Sequence, residues 1–428
     1  MSDSSPRFIL CCDWSKEASG RAVYVADVAA RTVRHVGLEP SRRPDGGAWT
    51  FEATLAHARI LRREGPVLLT FDAPLGVPAS YLEAARQQGP WHDVRDFVEW
   101  LPRACETPGF FENGDGGEAW ALTRPFIHLA KGTGSLQAFR ERAGALGVEL
   151  ERDIERRTRA KSVFLAAGLP GSVGSAAKDL WKGLAGALRA PSEGARDFGI
   201  WPFEGTLGAI LSDRGIAIGE IYPRAAYGLA LSRRRVEKRA CMAINKTRLE
   251  DRTAALAWLL SDSWLPDGCL STEALRYAMA DEQGDAFDAA MSCIALMRCF
   301  IEGTPLSDPS LEDPVAEGGI LGTGSVNLDL PEKAFSGRHR SMFRDTPAPP
   351  ASLVIPRTTP VPVRTEVQQA QGLACPIPGC PHRFRRGRLG WDGHVGSPRR
   401  HPGWLPDVRD PEERKRAFRV AFPSFFET

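Results

Sequence analysis

The stretch FILCCDWSKEASGRAVYVADVAARTVRHVGL, residues 8–38, contains three runs of strand-forming residues separated by short polar segments. Phe8–Asp13 is the first run, Arg21–Val28 is the second, and Thr32–Leu38 is the third, in which apolar and polar residues alternate. Apolar runs and period-two alternation, separated by turn residues such as Ser19-Gly20, are the signals of successive strands. The stretch therefore predicts a three-stranded meander at the start of the fold.

The next segment adds a helix and a buried strand. Apolar residues recur at helical spacing over Thr50–Arg63, and Gly65-Pro66 predicts the end of that helix. Val67–Phe71 is continuously apolar, which is typical of a strand buried on both faces beside a parallel neighbour. The order strand, strand, strand, helix, strand resembles the beginning of the RNase H-like α/β fold. This resemblance implies that the first and fourth strands lie side by side.

Changes in composition divide the remaining chain. Residues 80–200 are mostly helical and loop in character, which predicts a helical insertion within an RNase H-like domain of residues 1–335. Residues 336–372 lack periodicity and contain six prolines, so we predict a semi-rigid linker there. Residues 373–428 are predicted to form a small separate domain.

A return to strand character is predicted over Leu207–Pro223, after the insertion. Within it, Asp213-Arg214-Gly215 falls where a hairpin turn is expected.

Composition excludes several classes of protein. A chain of 428 residues is long enough for two or three domains. Lys+Arg 55 and Asp+Glu 53 give a net charge of +2, so the overall charge does not indicate a polyanionic partner. No apolar run approaches the roughly 20 residues of a membrane helix, and the polar N-terminus does not resemble a secretory signal. Nine scattered cysteines then favour a reducing compartment, and we expect a cytoplasmic protein without membrane contact.

Five acidic residues stand where a strand ends or a helix begins. Asp13, Asp72 and Glu220 each follow an apolar run, and Asp285 and Asp288 open a helical stretch one turn apart. Burying an unpaired carboxylate is costly, so such positions call for an explanation. Mg²⁺ and Mn²⁺ prefer carboxylate oxygens. We therefore predict a divalent-cation site formed by Asp13, Asp72, Glu220 and Asp288, with Asp285 beside it.

Each of these acids also has an ordinary structural explanation. Asp285 is a possible N-cap, Asp72 a turn residue, Asp13 a loop cap, and Glu220 a partner of Arg224. The coincidence of four such residues favours a functional site.

The predicted chemistry is that of a two-metal phosphodiesterase. Such enzymes hold two cations about 3.5–4 Å apart, one activating water and one stabilising the leaving oxygen. Asp13 is the predicted bridge between the two cations. Lys246 is a candidate phosphate contact, although an ordinary lysine at a helix start explains it equally simply.

The C-terminal segment contains cysteines and histidines at spacings close to a zinc site. Cys375 and Cys380 are separated by four residues, and His394 and His401 by six. Thiolate and imidazole suit tetrahedral Zn²⁺, and metal binding would help so small a domain to fold. His382 competes with His401 as the fourth ligand. The alternative is a buried turn at the cysteines with histidines facing solvent.

The same segment is locally basic. From residue 375 to residue 428 there are eleven basic and six acidic residues, an excess of five positive charges. Basic side chains interleaved with aromatic ones suit phosphates and stacked bases, so we predict a nucleic-acid-binding tail, with a protein-docking module as the alternative. The residues concerned are Arg383, Arg385, Arg386, Arg388, Arg399 and Arg400, among Phe384, Trp391 and Trp404.

Six sequence blocks lie within roughly residues 8–325. They are Cys12-Asp13-Trp14-Ser15, Phe71–Gly76, Lys161–Phe164 with Gly171–Gly174, Ile200–Phe203, Glu220–Pro223 and Asp285–Ala289. Together these blocks resemble a family of predicted RNase H-like nucleases of the domain-of-unknown-function class. The resemblance implies metal-dependent nuclease activity, with Asp13, Asp72, Glu220 and Asp288 as the ligands of Mg²⁺ or Mn²⁺. The C-terminal tail lies outside it.

Two other functions remain open from the sequence. The same core topology supports ATP-dependent phosphotransferases and nucleotide hydrolases, because fold alone does not decide activity. However, residues 13–20 make a poor phosphate loop, and the sequence shows no duplicated core. A non-catalytic module that binds nucleic acid or protein is the other alternative.

Overall fold

The computed structural model of the chain describes most of the first 332 residues and parts of the C-terminal segment. Contacts divide the chain into two compact units, Met1–Ile355 and Pro356–Thr428. The predicted proline-rich linker lies outside the described residues. These are 5–15, 17, 20–37, 49–116, 119–129, 136–168, 172–190, 196–232, 239–262, 264–266, 268–332, 373–378, 380, 383–384, 394–395, 404–405, 407–408 and 410–423.

The first unit is a mixed α/β structure around one large mixed sheet. Its strands, in chain order, are β1 (Phe8–Asp13), β2 (Ala22–Asp27), β3 (Thr32–His35), β4 (Val67–Phe71), β5 (Gly114–Asp115), β6 (Ile127–His128), β7 (Leu165–Ala167), β8 (Gly199–Ile200), β9 (Ile216–Ile221), β10 (Arg239–Met242), β11 (Ile320–Leu321) and β12 (Val326–Glu332).

The helices of this unit lie mainly between the strands. They are α1 (Phe51–Arg62), α2 (Ala79–Gln88), α3 (Phe97–Glu106), α4 (Leu136–Gly144), α5 (Asp153–Thr158), α6 (Gly174–Arg189), α7 (Leu207–Arg214), α8 (Pro223–Leu231), α9 (Leu249–Leu260), α10 (Thr272–Ala280) and α11 (Asp285–Glu302). None of the helices in the described part of the chain is long and apolar enough to cross a membrane.

The main sheet has the order β3-β2-β1-β4-β9-β11, and β8 also pairs with β9. Strands β1, β2 and β3 form the predicted antiparallel meander. Strand β4 lies parallel to β1, as expected, and β9 lies parallel to β4. The carboxyl ends of these three parallel strands therefore meet at one edge of the sheet.

The strands are continuously apolar because both faces of the sheet are covered. In β1, Leu10 and Cys12 enter one core, which also contains residues of α1 and α6. Ile9 and Cys11 enter a second core, which contains residues of α8 and α11. Alternate side chains of one strand thus enter different cores, and the helices form a layer on each side of the sheet.

Residues 79–200 contain α2 to α6 together with a small sheet of order β5-β6-β7, which was not predicted. Their core is rich in large aromatic side chains, with Trp100, Trp120 and Trp181 fully buried.

The predicted hairpin turn at Asp213-Arg214-Gly215 is wrong. Leu207–Arg214 is helix α7, whose first turn is capped by the Thr206 side chain accepting from the Ala209 amide at 3.3 Å. Gly215 ends the helix with φ 81°, a left-handed conformation that glycine adopts without strain. The chain then enters β9 as a parallel strand.

The second unit has two described strands, β13 (Leu373–Ala374) and β14 (Arg383–Phe384), and the helix α12 (Pro411–Ala421). The strands pair antiparallel. Its small core contains Cys375, Ile377, Val395 and Phe418.

Candidate divalent-cation site

Three carboxylates meet at the edge where the parallel strands end. Asp13 is the last residue of β1, and Asp72 follows the last residue of β4, where its amide donates to the Cys12 carbonyl at 3.0 Å. Asp288 lies in the first turn of α11, which packs against β1 and β2. One oxygen of each carboxylate lies within 4.8 Å of the other two. We call Asp13, Asp72 and Asp288 the acidic cluster.

Two carboxylates of the acidic cluster are buried, and the third, Asp72, is partly buried. Asp13 is 5% exposed and Asp288 is 3% exposed. Burial, followed by the charges of Asp288 and Asp72, raises the pKa of Asp13 well above its usual value. Burial also raises the pKa of Asp72 to about 8, with further contributions from Asp288 and Glu220. Like charges this close disfavour joint ionisation unless a cation lies among them.

Asp288 is held by two donors. The Tyr227 hydroxyl donates to its Oδ1, and the Lys246 ammonium donates to its Oδ2. Lys246 Nζ also lies 3.2 Å from Asp285 Oδ1 and 3.9 Å from Asp13 Oδ2. Burial works to lower the pKa of Lys246, but the charges of Asp288 and Asp13 outweigh burial and raise it.

One oxygen of Asp13 lies 3.9 Å from the Lys246 ammonium but receives no hydrogen bond from it. Within the described residues, no hydrogen-bond donor reaches the buried Oδ2 of Asp13. A buried carboxylate oxygen without a donor is costly, and a cation is the ligand that offsets this cost. The donor set of three carboxylates fits Mg²⁺ or Mn²⁺.

Glu220 lies near the acidic cluster, but its oxygens are already satisfied. Two nitrogens of Arg152 donate to its two carboxylate oxygens, each at 2.8 Å, and the Leu75 amide donates at 2.8 Å. The structural alternative, an ion pair of Glu220 with Arg224, is not seen among the described residues, where Arg152 takes that place. Glu220 therefore lies beside the acidic cluster as the buried partner of a fixed guanidinium.

Arg152 is the centre of a second group, which we call the Arg152 network and which consists of Arg152, Glu155, Glu220 and Glu317. Arg152 is 1% exposed, and it also donates to Glu155 Oε1 at 3.1 Å and to the Glu317 carbonyl at 2.9 Å. The Glu317 carboxylate accepts from the amides of Ala79 and Asp153 at 3.1 and 2.6 Å. The network thus ties α2 and α5 of the insertion to the main sheet.

The second unit brings together three of its four predicted zinc ligands. Ligand atoms of Cys375, Cys380 and His394 all lie within 4.8 Å of one another, and Cys380 Sγ is 3.4 Å from His394 Nε2. Burial raises the pKa of the Cys375 thiol to about 11. His401 and its competitor His382 lie outside the described residues.

Part of the predicted nucleic-acid surface has another role. The Trp404 ring contacts the Phe418 ring with 5.9 Å between centroids, and the Arg414 guanidinium lies 5.3 Å from its centre. Trp404 therefore contributes to the small core. Arg383 and Phe384 lie in β14, and the other predicted arginines and Trp391 lie outside the described residues.

Two residues of the site were not predicted, namely Tyr227 and Arg152. Tyr227 stands in the ordinary apolar pattern of α8, and Arg152 is one of many arginines. No local signal distinguishes either residue, because each gains its role from a partner more than sixty positions away.

Comparisons with known proteins give no match, either to a family model, to a curated protein or to a solved structure. The resemblance to RNase H-like nucleases therefore stays a prediction, and function has to be inferred from the acidic cluster itself.

Proposed function

We propose that this protein is a metal-dependent nuclease that hydrolyses phosphodiester bonds at the acidic cluster. The observation that carries the proposal is the meeting of Asp13, Asp72 and Asp288, with oxygens within 4.8 Å, at the carboxyl edge of parallel strands. Ligand sites in open α/β sheets typically lie outside this edge. An antiparallel meander continued by parallel strands in the order β3-β2-β1-β4-β9 supports an RNase H-like core.

The residues have separate roles in this proposal. Asp13, Asp72 and Asp288 would hold Mg²⁺ or Mn²⁺, and Tyr227 orients Asp288 through its hydroxyl. The bound cation supplies activation of water and neutralisation of charge on the phosphate. Glu220, satisfied by Arg152, fixes the neighbouring strand end and adds negative charge close to Asp72.

The direct test is cleavage of labelled single- and double-stranded DNA and RNA with Mn²⁺, Mg²⁺ or EDTA. We expect cutting that EDTA abolishes and that Asp13→Asn lowers by about 10²–10³-fold or more, because the variant removes a charge from the cation site. Asp213→Asn, which changes an exposed carboxylate on α7, is the matched control and should cut normally.

Cutting by a clean Asp13→Asn preparation at the wild-type rate would overturn the assignment. If no nucleic acid is cut but a nucleotide protects the protein against thermal unfolding, a nucleotide hydrolase or phosphotransferase replaces it. Tight nucleic-acid binding without turnover under any divalent cation would instead indicate a binding module.

The second unit is proposed to bind Zn²⁺ through Cys375, Cys380 and His394, with His401 or His382 as the fourth ligand. Zn–S and Zn–N bonds of about 2.0–2.3 Å bring ligands this close together. We further propose that this basic unit holds the nucleic acid. The structure shows no disulfide among the nine cysteines, all of which lie in its described part, and this supports a reducing compartment such as the cytosol.

Elemental analysis of the purified full chain tests the zinc site. We expect about one zinc per chain, lost in Cys375→Ser because a thiolate ligand is removed, and retained in the control Cys105→Ser. Comparing His401→Ala with His382→Ala identifies the fourth ligand. Undiminished zinc in Cys375→Ser would contradict the site.

A further inference from the structure

The Lys246 ammonium occupies one side of the acidic cluster. Its Nζ is bound to Asp288 Oδ2, lies 3.2 Å from Asp285 Oδ1, and lies 3.9 Å from Asp13 Oδ2. In a two-metal site, carboxylates bridge and flank two cations. Lys246 pairs with Asp285 and Asp288, which are the carboxylates that a second cation on this side of Asp13 would need as ligands.

The backbone around Lys246 is built for this position. Gly284 has φ 81°, and a Cβ atom there would lie 2.6 Å from the Lys246 carbonyl oxygen and 2.8 Å from Lys246 Cβ. The Arg252 guanidinium also donates to the Lys246 carbonyl. Only a glycine before α11 allows the lysine stem to approach this closely, so the ammonium is directed into the cluster by two separate contacts.

The acidic cluster also contains carboxylate oxygens to which Lys246 does not donate a hydrogen bond. The Oδ2 atom of Asp13 is buried and, among the residues that the structure describes, receives no hydrogen bond. Asp72 follows the last residue of β4, the strand next to β1, and has no ion pair with Lys246 among those that the structure shows within 4 Å. Lys246 Nζ is 3.9 Å from Asp13 Oδ2, which is beyond hydrogen-bond distance, so this oxygen can still bind a cation together with Asp72.

We propose that the acidic cluster holds a single divalent cation, among the oxygens of Asp13, Asp72 and Asp288 that Lys246 does not bind, and that the Lys246 ammonium takes the place of a second one. The inference rests on the cation site of the proposed function, and it differs from the two-cation chemistry predicted from the sequence. A second divalent ion at Asp288 would have to displace the ammonium, because two cations at such short distance repel strongly in a buried site.

Counting Mn²⁺ ions tests this inference without reference to cleavage. Full-length protein is titrated with Mn²⁺, and electron paramagnetic resonance measures free ions and detects spin coupling between neighbouring bound ions. Asp13→Asn defines the background, including any Mn²⁺ in the second unit. We expect one Asp13-dependent ion in the wild type, without coupling to another Mn²⁺.

The matched variants are Lys246→Gln and Lys246→Arg. Lys246→Gln should bind a second, spin-coupled Mn²⁺, or bind its ion about 10-fold more tightly or better, because a competing positive charge is lost. Lys246→Arg keeps the charge and should stay at one ion. Circular dichroism confirms that each variant is folded.

Two Asp13-dependent ions in the wild type, or none, would overturn the inference. So would a Lys246→Gln variant that is folded and keeps both the count and the affinity of the wild type. The proposed function and this inference can fail separately. One bound ion without any cleavage would contradict the proposed function and support the inference. Cleavage with two bound ions would overturn the inference and leave the nuclease proposal intact.

Discussion

The acidic cluster and the Arg152 network bury carboxylates at the same end of one sheet, but they satisfy them differently. Glu220 receives two hydrogen bonds from Arg152 and one from the Leu75 amide. Asp13, two strands away at the end of β1, has a buried oxygen that receives no hydrogen bond from the described residues and lies 3.9 Å from the Lys246 ammonium. The difference shows that burial of a carboxylate is not in itself a sign of function. A fixed partner marks a structural carboxylate, whereas an open oxygen among like charges marks a site for a cation.

The largest expected contrast is in stability. Arg152→Met should lower the free energy of unfolding by about 3–5 kcal/mol, because it leaves Glu220 and Glu155 buried without their guanidinium. Asp13→Asn should instead raise the stability of the metal-free protein by about 1–2 kcal/mol at pH 8, because it removes one of several mutually repelling charges. Urea unfolding in EDTA measures both.

Arg189→Met is the control for the arginine variant. Arg189 pairs with Glu106 at 3.1 Å, but the two side chains are 41% and 64% exposed, so the expected loss is only about 0–1 kcal/mol. If Arg152→Met lowered the stability no more than Arg189→Met, the Arg152 network would not be what holds the insertion to the main sheet.

The pH dependence of stability tests whether the acidic cluster, unlike the Arg152 network, contains carboxylates that resist ionisation. The pKa of Asp72 is raised from 3.8 to about 8, so the folded state binds its proton more tightly than the unfolded chain does. This contribution is fully present below pH 3.8 and is lost as pH rises towards about 8. The melting temperature in EDTA should therefore fall as pH rises from about 5 to about 8.5.

Two experiments test whether the raised pKa of Asp72 causes this fall in melting temperature. They are the variant Asp72→Asn and the addition of Mn²⁺. The variant has no carboxylic acid at position 72 and should show a flatter pH profile. Mn²⁺ should restore the melting temperature of the wild type mainly at high pH, where the carboxylates are ionised and can bind it. A wild-type profile in EDTA that rises over this range would contradict the assignment of the raised pKa.

The parts of this site that could be predicted from the sequence are those that local patterns determine. Asp13 and Asp72 each follow a short apolar strand, and the parallel pairing of β1 and β4 brings them together. Asp285 and Asp288 share one face of α11 because they are one helical turn apart. Strand ends and helix starts are visible in the sequence, so the cluster could be predicted although its partners could not.

Two features could not be read from the sequence. One depends on a partner that is distant in the chain, and the other depends on a residue pattern that fits two different structures. Arg224 is the nearest basic residue after Glu220, but the true partner, Arg152, is 68 positions away and is placed by the insertion. Gly215 adopts φ 81°, which serves equally in a turn between strands and at the end of a helix. Only the packing of α7 beside β8 and β9 decides between the two.

The smallest expected effect concerns the hydroxyl that orients Asp288. Tyr227→Phe removes one donor from Asp288 Oδ1 and leaves Lys246 on Oδ2, so the carboxylate keeps its place but loses part of its orientation. We expect Mn²⁺ to bind about 10-fold more weakly, at the lower end of the range for residues that support a metal ligand. Calorimetric titration measures this change.

Tyr277→Phe is the control, since this side chain is exposed and stacks on His35 away from the cluster. Equal affinities for the two variants would mean that Asp288 is held by Lys246 alone, which would make the acidic cluster depend on a fixed cation much as Glu220 depends on Arg152.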